Sequence, residues 1–207
     1  MRLSEANFDF IVSSVSKTPR TLTTLISLTC SDELLICWRA IDAIGRCAEE
    51  LSGTRPEICR KYLRRLFWMM SDESGSFAPH APEVIGEIVQ SNPKEFEDFI
   101  PLTISLLDLE PEDLPAFLPG ILYALGRIGE AAPGSVVEAL RCIELYLRAS
   151  DPQTRAMSIL SLYRLGCRDV LLRYSELESD PGRTQIYAEA HIRETTVSRI
   201  YRDAMAS

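Results

Sequence analysis

A short pattern recurs along this chain at a nearly fixed interval: a small residue, an apolar pair and a glycine. It is carried by Ala40-Ile41-Asp42-Ala43-Ile44-Gly45, Ala81-Pro82-Glu83-Val84-Ile85-Gly86, Ile121-Leu122-Tyr123-Ala124-Leu125-Gly126 and Ser161-Leu162-Tyr163-Arg164-Leu165-Gly166. The glycines stand 41, 40 and 40 residues apart. A period of about 40 fits stacked helical pairs, whereas other helical arrays run at about 33 or 34. Such an array buries each unit against the next, so residues 1–207 are read as a single domain.

The spacing within each unit is helical. From Asp32 to Leu51 the apolar positions are Cys37, Ala40, Ile41, Ile44, Ala48 and Leu51, with Trp38, Asp42, Arg46 and Glu49 opposite. Thr54-Arg55-Pro56-Glu57, Asn92-Pro93-Lys94-Glu95 and Ser135-Val136-Val137-Glu138 each fit a capping box at the start of a following helix. The expected helices run from there to Met70, over Phe96 to Leu107, Leu114 to Glu130, Val136 to Leu147 and Thr154 to Gly166, with Asp151-Pro152 opening the last. A first pair, Ser4 to Ser16 and Thr18 to Cys30, lacks the glycine and reads as an N-terminal cap. A final helix from Thr184 to Ala204, with Ile186, Ala190, Val197, Ile200 and Tyr201 on one side, reads as the C-terminal cap.

Composition bounds the function. Hydrophobic residues make up 46% and charged residues 25%, enough for a sizeable core. The 30 acidic residues against 22 basic ones oppose the electrostatics of phosphate binding, so nucleic acid is disfavoured as a partner. The six cysteines form no Cys-x-x-Cys pair and read as reduced core thiols of a cytoplasmic protein. With only His80 and His191 as imidazoles, no metal site is expected. Neither a signal peptide nor a membrane span is expected.

The repeated cores resemble the HEAT-repeat superfamily, in particular the repeats known as phycobilisome-lyase HEAT-like, over roughly Cys30 to Gly166. More narrowly, Trp38-Arg39-Ala40-Ile41, Trp68-Met69-Met70-Ser71-Asp72-Glu73-Ser74-Gly75 and Ala81 through Ile88 resemble a group of functionally uncharacterised bacterial HEAT-repeat proteins. The resemblance implies an all-α fold: a right-handed α-α superhelix of about five helical pairs with atypical terminal caps. It also implies a protein-binding role, since most of the superfamily are interaction scaffolds and a minority are enzymes or chromophore lyases.

In HEAT arrays the glycine-bearing helices line the concave side, where residues seven before, three before and one after each glycine form a solvent-side row. That row contains Trp38, Asp42 and Arg46; Pro79, Glu83 and Glu87; Pro119, Tyr123 and Arg127; Ile159, Tyr163 and Cys167. The expected partner-binding residues are Trp38, Arg39, Asp42, Arg46, Asp72, Glu73, Glu83, Glu87, Tyr123, Arg127 and Tyr163. Asp72 and Glu73 come from the acidic connection 71–80, which reads either as a functional loop or as a tolerated insertion. The charges read equally well as a salt-bridge ladder between rungs. Trp38 is a hot-spot candidate or the cover of the first repeat, and Trp68 reads as core.

Alkyl-base DNA glycosylases of HEAT-like fold use tryptophans, an aspartate and an arginine, types supplied here by Trp38, Trp68, Asp42 and Arg39. The acidic balance opposes that alternative, and a chromophore-lyase role rests on repeat-level likeness alone. No nucleophile–base pair or glycine-rich phosphate loop can be placed. The expectation is therefore a non-enzymatic scaffold without cofactor or metal, a monomer or weak homodimer, that binds a protein or peptide in its concave groove.

Overall fold

The recurring glycines mark where neighbouring helices come closest. The structure, a computed structural model, describes residues 3, 7–15, 18, 20–70, 78–110 and 112–206. In chain order the helices are α1 (Phe8–Val15), α2 (Arg20–Leu28), α3 (Leu34–Ser52), α4 (Pro56–Met69), α5 (Ala81–Ser91), α6 (Phe99–Ser105), α7 (Leu114–Ala131), α8 (Leu140–Leu145), α9 (Pro152–Arg164), α10 (Arg168–Leu171) and α11 (Val197–Ala206). Helix α3 packs on α5, α5 on α7 and α7 on α9, while α4, α6 and α8 pack beside this row. A Cβ added at Gly86 would lie 2.5 Å from the Ala124 Cα, and one at Gly126 would lie 2.9 Å from the Ser161 Cα. Only glycine lets these backbones meet.

Gly166 serves another purpose. Its φ is +71°, and it ends α9: its N–H donates to Tyr163 O and the Cys167 N–H to Leu162 O, the paired bonds of a Schellman stop. The fourth glycine of the pattern therefore terminates a helix.

The core runs along the row, with Ile41, Ile44, Ile85, Ile88, Ile121, Leu122 and Leu125 essentially without exposure. Asp151 opens α9 as its sequence implies, accepting from the Thr154 N–H at 2.8 Å. The three expected capping boxes are at best half formed. Thr54 donates back to Glu50 O at 3.1 Å, and α4 is entered through Arg55 with no side-chain cap. Asn92 accepts from the Glu95 N–H at 3.3 Å, but α6 begins only at Phe99; Ser135 donates to Ala132 O at 2.8 Å and leads into the 3-10 turn Val137–Ala139. Helices α6 and α8 are shorter than their sequence suggests, whereas α4 runs to Met69 much as expected.

The larger correction lies at the C-terminal end. In place of a helix from Thr184, two strands, β1 (Arg183–Ala188) and β2 (His191–Thr196), form an antiparallel hairpin with Ala188 opposite His191. Thr184, Ile186, Tyr187, Ile192, Thr195 and Thr196 favour extended backbone. The turn residues Glu189 and Ala190 have φ of +51° and +61°, the twist that a two-residue hairpin turn needs. The fold is thus mostly helical and all-α-like, with a small two-stranded sheet added at its C-terminal end. Two further expectations fail: Trp68 is 53% exposed on α4, and of the six thiols only Cys37, Cys47 and Cys59 are buried. Burial pushes the Cys47 and Cys59 thiols up to about 12. No helix among the described residues is long and apolar enough to cross a membrane.

Candidate functional site

The hairpin spans the row of inner helices from α9 to α3. At its base the Gln153 side chain on α9 does what a neighbouring strand would do. Its amide donates to Gln185 O at 3.1 Å, and its carbonyl accepts from the Gln185 N–H at 3.2 Å and from the Thr184 hydroxyl. Both outward backbone groups of Gln185 are thereby satisfied, which covers the β1 edge at that point. At its tip the Tyr187 ring stacks on Trp38 of α3, and the Tyr187 hydroxyl donates to Asp42 at 2.9 Å. Arg39 completes the anchor, donating to Ala190 O and to Leu3 O at 3.1 Å each.

Two cavities lie between the hairpin and the helices, and Trp38 forms a wall of both. The first, about 300 Å³, is polar: Asp42, Arg46, Glu87, Tyr123 and Arg127 face the hairpin residues Tyr187 to Ala190. The second, about 280 Å³, is mainly apolar, with His80 and Glu83 on its wall beneath Ile186 and Ile192.

In the first cavity Glu87 is the hub. Only 5% exposed, it accepts from the Tyr123 hydroxyl at 2.6 Å and from Arg127 Nε at 2.8 Å, so a charge from α5 is neutralised by α7. Burial, and then the Glu87 charge, raise the Tyr123 pKa; burial alone would lower that of Arg127, but its bonds to Glu87 outweigh this and raise it. A Cβ at Gly45 would fall 2.5 Å from Glu87 Oε2, so that glycine of α3 makes room for a carboxylate of the next helix. Asp42 pairs with Arg46 on its own helix at 2.7 Å. Burial, and then the Asp42 carboxylate, push the Tyr187 phenol well above its ordinary value, so it donates to Asp42 throughout the physiological range.

In the second cavity Glu83, also 5% exposed, has one oxygen 3.0 Å from His80 Nδ1. Burial alone would lower the His80 pKa; the neighbouring Cys37 sulfur and the hydrogen-bonded Glu83 carboxylate outweigh it and raise the value to about 10. His80 is therefore an imidazolium paired with a carboxylate.

Trp38, Asp42, Arg46, Glu87, Tyr123 and Arg127 are thus brought together as their spacing implied, and Glu83 sits next to them. The expected solvent-side row is nevertheless not open: Glu83 and Glu87 are buried between helices, and Ile159 has no exposure. Arg39 is 6% exposed and anchors backbone, while Tyr163 lines neither cavity. Asp72 and Glu73 lie outside the described residues, as does the connection 71–77. The salt-bridge ladder is real for Glu87 and Arg127, which join two rungs, but Asp42 and Arg46 pair within one helix. Sequence reasoning missed Tyr187, His80 and Gln153. Tyr187 and Gln153 act through the unforeseen hairpin, and His80 precedes a helix in which Glu83 and Glu87 looked informative. Among the described residues no cluster of His, Cys, Asp and Glu could hold a metal ion.

No family model matches the chain. It is 32% identical over 159 residues to an uncharacterised protein of Archaeoglobus fulgidus, across 74% of this chain and 80% of that protein, and it belongs to that protein's family.

Proposed function

We propose that this member of the archaeal protein's family is a non-enzymatic interaction module, a HEAT-like superhelix of helical pairs that holds a segment of a partner protein against its inner helices. The observation that carries the reading is the polar cavity. Trp38, Tyr123, Tyr187, Arg46 and Arg127 meet there, the residue types that dominate binding energy at protein interfaces. Asp42 and Glu87 beside the two arginines give it charges of both signs, suited to a peptide with polar side chains and backbone groups. On this reading the hairpin tip is part of the binding surface, and the protein acts in the cytoplasm as a monomer or weak homodimer.

The glycosylase alternative finds less support. Trp68 lines neither cavity, and the Arg39 guanidinium is used on backbone carbonyls. The excess of acidic residues also opposes a DNA backbone.

A photoreactive amino acid in place of Arg46 tests the reading in the native cell, with the same group in place of the exposed Arg64 of α4 as control. A discrete adduct with a second protein from position 46 alone is expected, reduced by Tyr123→Ala. Equal adducts from both positions, or none from position 46, would contradict it.

A further inference from the structure

Helix α4 turns one face to solvent and loads it mainly with positive charge. Glu57, Lys61, Arg64, Arg65 and Trp68 are spaced three or four residues apart, so they share that face, and all five are exposed. Among the described residues Lys61, Arg64 and Arg65 form no ion pair, although the chain carries 30 acidic residues against 22 basic ones. Arg60, by contrast, is used inside the fold, pairing with Asp98 at 2.6 Å and donating to Glu95 O. Like charges one turn apart weaken a helix, so stability does not explain the stripe.

Trp68 ends the stripe and is 53% exposed, a large apolar area to leave in water. Phe67 beside it stacks on Phe99 of α6, and Leu102, one turn beyond Phe99, is 47% exposed. The face therefore suits a surface that supplies anions and apolar contact together. An anionic bilayer does so: its headgroups attract Lys and Arg, whose stems lie along apolar surface, and its interface favours the amphipathic indole. Helix α4 packs beside the inner row, on its outer side, where a plane can reach it. At physiological salt, screening over about 8 Å separates that plane from the acidic residues of the inner helices. A nucleic acid strand laid along the protein would run past them.

We propose that the exposed face of α4 docks on an anionic lipid surface, with Lys61, Arg64 and Arg65 at the headgroups and the Trp68 indole at the interface. This surface is separate from the polar cavity, and it stands whether or not a partner protein binds there.

The full chain, sedimented with vesicles of phosphatidylcholine alone or with about one-third phosphatidylserine, provides the test. Binding to the serine-containing vesicles alone is expected, released by about 0.5 M salt. In a Trp38→Phe background Trp68 is the only indole, and its emission should shift to the blue on binding. Lys61→Gln and Arg64→Gln should each weaken binding about fivefold, and together about twenty-five-fold. Both side chains are exposed, so the melting temperature should hold and guard against a variant that fails to fold. No binding to the anionic vesicles, equal binding to both kinds, an unshifted Trp68 emission or unchanged affinity in the double variant would overturn the proposal. So would a single-stranded oligonucleotide that displaces the protein from the vesicles, which would assign the face to nucleic acid.

Discussion

The ring of Tyr187 lies on that of Trp38, with centroids 5.7 Å apart and planes 13° from parallel. One residue belongs to the first inner helix and the other to a strand near the end of the chain. The contact therefore ties the hairpin to the far end of the helix row from Gln153. A double-mutant cycle of Trp38→Ala and Tyr187→Ala should give a coupling of about 0.5–1.5 kcal/mol in chemical denaturation. Tyr187→Phe, which keeps the stack and removes the bond to Asp42, should cost about 1 kcal/mol. Additive single effects would mean that the rings do not meet.

Glu87 is a charge buried between α5 and α7, and its stability depends on the company it keeps. Glu87→Ala leaves Arg127 with only the half-exposed carboxylate of Glu130 and Tyr123 without its acceptor, so a loss of about 2–3 kcal/mol is expected. Glu87→Leu combined with Arg127→Met should cost much less than the two single changes together, because no unpaired charge remains. Urea midpoints of the three variants measure this; strict additivity would argue against a coupled buried pair.

The hairpin turn is built from residues poorly suited to it. Glu189 and Ala190 both have positive φ, at a cost of roughly 1 kcal/mol or more each for residues with a Cβ. Glu189→Asn with Ala190→Gly should therefore stabilise the protein by about 1–2 kcal/mol. The Arg193–Glu189 ion pair lost in this exchange is exposed and contributes little. A lower melting temperature in the double variant would show that the turn is not of this kind.

His80 should make stability fall in alkaline solution. Its pKa is raised from 6.5 to about 10 in the folded protein, so the protonated pair with Glu83 stabilises fully below about pH 6.5. That contribution declines as the pH climbs from there and is gone above about pH 10. Denaturation of wild type and His80→Gln across this interval should show a steeper decline for wild type. Parallel curves would mean that the imidazole is not charged in the fold.

The inner helices were legible in the sequence because their determinants are local or strictly periodic. Gly45, Gly86 and Gly126 sit where adjacent helices touch, and the residues three before and one after them share a helix face, which brought Asp42, Glu87, Tyr123 and Arg127 together. The hairpin was not legible. Ile186, Ala190 and Val197 fall at intervals that a helix would also use, and the turn lacks the Asn-Gly or Asp-Gly that announces a two-residue connection. The burial of Glu83 and Glu87 was equally hidden, because the room for each carboxylate comes from a glycine on a neighbouring helix, Gly120 and Gly45. Gln153 resembles any polar residue in the first turn of a helix, and only the strand beside it gives it a role.

The hairpin lying across the inner helices is the feature on which the proposed partner site depends. The most direct measurement is a proton NOE spectrum of protein labelled at tryptophan and tyrosine, read at the Trp38 indole. Cross-peaks from that ring to Tyr187, removed by Tyr187→Leu, are the expected result. A Trp38 indole with no contact to any residue of 183–196, together with unprotected amides through that segment, would contradict the arrangement.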